Sequence, residues 1–238
     1  MSSQKNWSPE AVILLIAGVI GSMFFGALLI GALGALGLTT FKNPDSLAVI
    51  ILSTLSFHGA ALVGAGFFLH FHQVSWADAF GWNREGLGKS LLLGVGVLMV
   101  ALPVVLALEQ ASVWVLERLH WAAEDQRAVD LIVKSKSWWL KGYLAAFAVL
   151  LAPVAEEFIF RGVLFPLCKQ LGWHKTAWFG TTAAFALIHF NLPTLIPLWV
   201  LALALTWLYN RTGCLLVPIV AHSLFNLTNL VILFNRPG

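Results

Sequence analysis

The sequence predicts an all-α protein: a polytopic transmembrane helix bundle of about seven spans, with its candidate site in the membrane between the C-terminal helices. Three observations carry this. The chain is 59% hydrophobic and only 11% charged over 238 residues, where soluble chains are about 45–50% apolar and about 25% charged. Its apolar residues fall in runs long enough to cross hydrocarbon, which takes about 20 mostly apolar residues. Eleven Trp and seventeen Phe supply the aromatic side chains that settle at both membrane interfaces.

A first span, about 11–37, ends at the polar turn Thr39-Thr40-Phe41-Lys42-Asn43-Pro44-Asp45. It is longer than a signal-peptide apolar region, so it is expected to stay in the mature chain. A second span, about 47–71, precedes a loop with Asp78, Arg84, Glu85 and Lys89. The third runs about 90–116, and Glu109 and Gln110 mark where it can leave the membrane. In the polar stretch 120–137, the spacing of Ala128, Leu131 and Ile132 suits an amphipathic helix lying in the interface. The fourth span, about 142–167, carries two glutamates and an arginine. Residues 169–175 turn the chain into a fifth span, about 176–190, and Asn191-Leu192-Pro193 turns it into a sixth, about 195–209. Arg211-Thr212-Gly213 leads to the last, about 214–234. No repeat or low-complexity tract interrupts the pattern, and residues 1–238 are expected to form one helical membrane domain with its functional core over about 142–234.

The formal charge of +3 is small and forms no basic stripe, so membrane lipid rather than nucleic acid is the expected partner. Basic residues do not fix the orientation. Lys5, Arg84, Lys89, Lys169, Lys175 and Arg211 fall at one end of a seven-span arrangement, while Lys42, Arg118, Arg127, Lys134, Lys136, Lys141 and Arg236 fall at the other. Cys168 and Cys214 match no metal or redox spacing and are read as packing residues.

The fourth span contains Glu156-Glu157-Phe158-Ile159-Phe160-Arg161-Gly162. Each charge in hydrocarbon costs at least about 2.5–3.5 kcal/mol, so a chain seldom keeps one without a use. On a helix Glu157 and Arg161 stand at i,i+4 on one face, where they can neutralise each other. Glu156 is rotated about 100° away and cannot share that partner equally. One carboxylate therefore reads as structural and its neighbour as available for chemistry.

Further polar groups lie at depth in the later spans. His189 follows Phe185 by four residues, and His222 precedes Asn226 by four, which aims the latter two from one helix face. Any one of them alone would more simply be an interhelical hydrogen bond. A carboxylate, two imidazoles and a carboxamide on three successive apolar helices form a set of the kind that bundles assemble from facing helices. His58, in the second span, has no such companion and is read as structural. The set permits hydrolysis: a carboxylate can act as base toward water, an imidazole can position that water, and an imidazole with a carboxamide can stabilise an oxyanion. Glu156, His189 and His222 are also a donor set compatible with zinc.

Other intramembrane hydrolase designs are missing. There is no H-E-x-x-H and no G-x-S-x-G, and the aspartates Asp45, Asp78, Asp125 and Asp130 are all expected in loops. Glu156-Glu157-x-x-x-Arg161, Phe185-x-x-x-His189 and His222-x-x-x-Asn226, in that order on apolar helices, resemble the CPBP intramembrane proteases. That family includes the CAAX prenyl endopeptidases and bacteriocin-processing or immunity proteins. The stretches Phe160-Arg161-Gly162-Val163-Leu164-Phe165 and Leu208-Tyr209-Asn210-Arg211-Thr212-Gly213 also look like family members, and the likeness covers about 142–234.

The resemblance implies an endopeptidase acting on membrane-associated proteins or peptides, with Glu156 as the base that activates water and His189 holding that water. It implies that Glu157 pairs with Arg161 to order the site. His222 and Asn226 would stabilise the oxyanion, with Phe185 packed beside them. It leaves the cofactor open: none, or zinc held by Glu156, His189 and His222. A non-catalytic membrane scaffold or immunity-type protein of the same fold is the alternative. An ion-coupled transporter, which would need paired broken helices, comes third because the chain has no internal symmetry.

Overall fold

The computed structural model describes residues 6–82, 85–123 and 126–235. All regular structure among them is helical. Among the described residues five helices are long and apolar enough to cross a membrane, and the chain is an integral multi-pass membrane protein. Contacts group the described residues into two compact units, Trp7–Ser75 and the residues from Trp76 onward together with Asn6. Lys5, Arg84, Asp125 and Arg236 lie outside the described residues.

The first unit is a helical hairpin. Helix α1 (Pro9–Ala35) starts at Ser8, whose hydroxyl accepts the Ala11 N–H at 3.3 Å, with Pro9 in the first turn where its missing N–H costs nothing. Helix α2 (Leu47–Phe71) starts the same way at Ser46, which accepts from Val49 at 3.3 Å. The two open ends are tied by one imidazole: Ser8 N–H donates to His72 Nε2 at 3.0 Å while His72 Nδ1–H donates to Phe68 O at 2.8 Å. Trp7, 2% exposed, packs edge-on against Phe68 and His72. His58 lies in a π-helical turn, Leu55–Gly59, in edge contact with Phe57.

The second unit begins with short α3 (Trp76–Phe80) and continues with α4 (Leu87–Arg118), which runs unbroken through Glu109 and Gln110. The expected interfacial helix is α5 (Arg127–Lys134), with Ile132 buried, Ala128 exposed, and an exposed Lys134–Asp130 pair at 2.6 Å. Asp78 and Asp130 thus sit on the short helices α3 and α5 rather than in loops, still outside the spanning helices. Helix α6 (Trp138–Gln170) follows; half of its apolar window is buried, against 17% for α4, so the other helices of this unit enclose it. Then come α7 (176–187), α8 (Leu195–Thr212) and α9 (Leu216–Phe234). Gly213, at φ +59°, ends α8 in the left-handed region that glycine tolerates. Leu98 and Val105 of α4, Ala186 of α7, Leu201, Leu205 and Leu208 of α8, and Val217 and Phe225 of α9 share one apolar core. Cys214 is buried with its thiol against the Phe80 carbonyl at 3.3 Å, and Cys168 is partly buried; both are free thiols.

Among the described residues the expected count of seven spans is not confirmed. Helix α7 is about 18 Å long at 1.5 Å per residue, short of a hydrocarbon core about 30 Å thick. Helix α8 spans 18 residues but spends its last turn on Asn210, Arg211 and Thr212.

Close approach of α1 and α2 depends on a small residue. A Cβ placed on Gly26 would come within 2.7 Å of the Ser56 Cβ. Gly26→Ala is expected to destabilise the first unit by about 1–3 kcal/mol through overpacking, read as a lowered thermal midpoint in detergent. An unchanged midpoint would mean that the helices part at no cost.

Candidate active site

Helix α6 is built from irregular turns that its sequence enforces. Pro153 and Pro166 each lack an N–H and clash with the carbonyl four residues back. The helix answers with two π-helical stretches, Phe147–Leu151 and Phe158–Leu164, either side of Glu156-Glu157. Inside the first stretch the Ala152 N–H reaches back five residues to Phe147 O. The next carbonyl in that register, Ala148 O, would need a donor from residue 153, which is proline. The Asn226 Nδ2 amide of α9 supplies it at 2.7 Å.

The arginine is buried completely. Arg161 is 1% exposed and Glu157 0%. The Arg161 Nη1–H donates to Glu157 Oε1 at 2.8 Å. On the opposite edge, Nε–H donates to Thr206 Oγ1 at 3.2 Å and Nη2–H to Ala202 O at 2.9 Å, both on α8. The guanidinium carbon lies 4.6 Å from the centre of the Phe185 ring, which is fully buried and supplies a cation–π face. Phe185 in turn packs edge-on against Phe160 at 5.3 Å.

His222 stands between the two carboxylates. Its Nδ1 lies 2.9 Å from Glu157 Oε1, the oxygen that Arg161 also holds, and its Nε2 lies 3.9 Å from Glu156 Oε2. An ionised carboxylate only accepts, so Nδ1 carries a proton and donates. Glu157 Oε2 is buried with no hydrogen-bond partner among the described residues. Glu156 is 8% exposed, and its side chain is the less enclosed of the two.

His189 lies just past the end of α7 rather than inside a span. Phe190 takes a left-handed φ of 47°, and the His189 N–H bends to Ala186 O at 3.3 Å. The Phe185 carbonyl is met instead by His189 Nδ1 at 2.8 Å. A carbonyl cannot donate, so Nδ1 carries the proton and Nε2 is the face left for a ligand. The His189 ring is 5.0 Å from Phe185, which is 5.8 Å from the ring of His222.

Glu157, His189 and His222 therefore gather around the buried Phe185 ring and the Arg161 guanidinium, and Glu156 lies beyond His222. Asn226 reaches the same helix, α6, but at Ala148, eight residues before Glu156. Thr206 and the Ala202 carbonyl were not legible as site groups. The one signal was a lone hydroxyl inside the apolar run of α8. Among the described residues no three His, Cys, Asp or Glu side chains come together in a metal-holding group. The Nδ1–H of His222 donates to Glu157 and leaves Nε2 as the nitrogen that a metal could take, but Glu156, His189 and His222 do not come together as such a group, and no chemistry is routed through a metal.

Residues 137–228 match the family model described as type II CAAX prenyl endopeptidase Rce1-like. This segment, which contains Glu156 through Asn226, is thus similar to the CAAX protease family. Residues 1–136 fall outside the match. No curated protein and no solved structure matches the chain.

Removing the guanidinium leaves Glu157 fully buried without the Arg161 counter-charge. Arg161→Ala is expected to cost about 3–5 kcal/mol, the scale for stranding one partner of a buried pair. Thermal unfolding in detergent measures it; an unaltered midpoint would mean that no such pair forms in the membrane.

Proposed function

We propose that this chain is an intramembrane endopeptidase that hydrolyses peptide bonds of membrane-associated proteins or peptides, with Glu156 as the base that activates water. One observation carries the reading. Arg161 and the His222 Nδ1–H both close on Oε1 of Glu157, so the two adjacent carboxylates are chemically unequal. Glu157 is locked into the framework, and Glu156 faces the other imidazole nitrogen of His222 across 3.9 Å.

Chemistry follows from those commitments. Water held by Nε2 of His189 loses a proton to Glu156 as its oxygen attacks the substrate carbonyl carbon. The carbonyl oxygen becomes an oxyanion. His222 can donate to it only through Nε2, because Nδ1–H already serves Glu157, so the donor is an imidazolium. With Arg161 and His222 positive and Glu157 and Glu156 negative, the buried cluster carries no net charge, as a water-poor site requires. The second N–H of the Asn226 amide is the other oxyanion donor, the first being held by Ala148 O. Glu156 then passes its proton to the departing nitrogen as the C–N bond breaks, which releases an amine and a carboxyl end and restores the carboxylate.

Glu156→Gln is expected to abolish cleavage of a membrane-embedded peptide by purified protein in liposomes while leaving the thermal midpoint near that of the parent. Turnover close to the parent's would remove Glu156 from the base role. Asn226→Ala should lower turnover about 10²–10³-fold, as loss of one oxyanion donor does. It should also lower the thermal midpoint, because the Ala148 carbonyl is left unsatisfied at about 1–3 kcal/mol. A full rate with a lowered midpoint would leave Asn226 only its bond to the π-helical turn.

A further inference from the structure

Five threonines of the second unit's helices make hydrogen bonds, and Thr206 differs from the rest. The hydroxyls of Thr181, Thr182, Thr212 and Thr228 donate to the carbonyl four residues earlier, at 2.6, 2.7, 2.7 and 2.8 Å, and Thr182 keeps that bond while accepting from Trp199. That is the default for a threonine in an apolar helix, where the hydroxyl has no better acceptor. Thr206 is 1% exposed and its hydroxyl accepts from Arg161 Nε instead. The carbonyl four residues before it, Ala202 O, accepts from Nη2 of the same arginine.

The two acceptors form a fork that matches the Nε/Nη2 edge of a guanidinium, the edge a carboxylate would otherwise take in a bidentate pair. This fork carries no charge. The positive charge of Arg161 is therefore left to Glu157, through Nη1. Glu157 Oε1 also accepts the His222 Nδ1–H, so the angle at which α8 holds the guanidinium sets the position of Oε1 and, through it, the direction of His222 Nε2.

We propose that Thr206, acting with the Ala202 carbonyl, is a positioning residue that orients the Arg161–Glu157 pair and thereby His222. Its part in turnover rests on the endopeptidase reading; its part in orienting His222 does not. Valine keeps the shape of threonine but removes the acceptor. In Thr206→Val the guanidinium can tilt on its remaining contacts, and His222 loses its fixed direction. Serine keeps the acceptor and should restore the parent behaviour.

The experiment uses full-length protein in micelles with ¹⁵N-labelled histidine, comparing parent, Thr206→Val, Thr206→Ser and Thr181→Val. The His222 ring nitrogens are assigned by their loss in His222→Gln, and peptide turnover is followed on the same preparations. Thr206→Val is expected to move the His222 Nδ1 resonance. It should also lower kcat on the order of 10–10²-fold, the scale a misplaced catalytic group costs, with KM changed little. Thr206→Ser and Thr181→Val are expected to match the parent in both readouts, whatever their thermal midpoints. An unmoved His222 resonance in folded Thr206→Val overturns the proposal, as does a shift of equal size in Thr181→Val. If the resonance moves as expected while the parent protein cleaves no peptide, the positioning role stands and the endopeptidase reading fails. If the parent cleaves and the resonance does not move, the reverse holds.

Discussion

A single guanidinium buried in an apolar bundle constrains everything around it. Arg161 cannot shed its charge, and in hydrocarbon every N–H without an acceptor and every charge without a counter-charge is expensive. Three further elements meet that demand together with α6. Glu157 of α6 supplies the negative charge, Phe185 of α7 an aromatic face, and the Ala202 carbonyl and Thr206 hydroxyl of α8 a neutral edge. Helix α9 joins through His222, which donates to the same carboxylate oxygen. The register of four helices is thus fixed around one cation, and the inequality of Glu156 and Glu157 is a by-product of satisfying it.

Backbone irregularity does the rest of the positioning. Water can satisfy a broken helical turn in a soluble protein, but a membrane helix must find another group of the protein. Where Pro153 strips Ala148 O of a donor, the Asn226 amide fills the gap; where the end of α7 leaves Phe185 O open, the His189 imidazole does. His189 and Asn226 are therefore held in place by repairing carbonyls that the chain itself leaves open. The same bond that orients His189 also fixes its tautomer, leaving Nε2 as the face toward a ligand. Asn226 consequently carries a structural duty whatever else it does.

Much of this was legible in the order of residues, and the limits have physical reasons. Apolar run length gave the five spanning helices, because crossing hydrocarbon is a demand on length and composition alone. It also named spans at α7 and α8, which fall short of a span in length or composition, since a short apolar helix has the same composition as a piece of a span. The aspartates Asp78 and Asp130 were expected in loops and lie on short helices, because polar surface helices share the residues of loops. Spacing gave Glu157 with Arg161, because i,i+4 is a property of one helix. It put His222 and Asn226 on one face of α9 but said nothing of the turns of α6 they reach, at Glu157 and Ala148.

The sequence by itself determined that the chain lives in a membrane, which residues form its helices, and that charges and imidazoles of complementary type occur on successive helices. These are consequences of composition and of periodicity within single elements. Only the tertiary structure decided that Thr206 and a backbone carbonyl hold the arginine, that Nδ1 of His222 belongs to Glu157, and that Nε2 faces Glu156. A hydroxyl's own spacing predicts a bond to its own helix, as Thr181, Thr212 and Thr228 make; the different choice at Thr206 exists because another helix brings a guanidinium within reach.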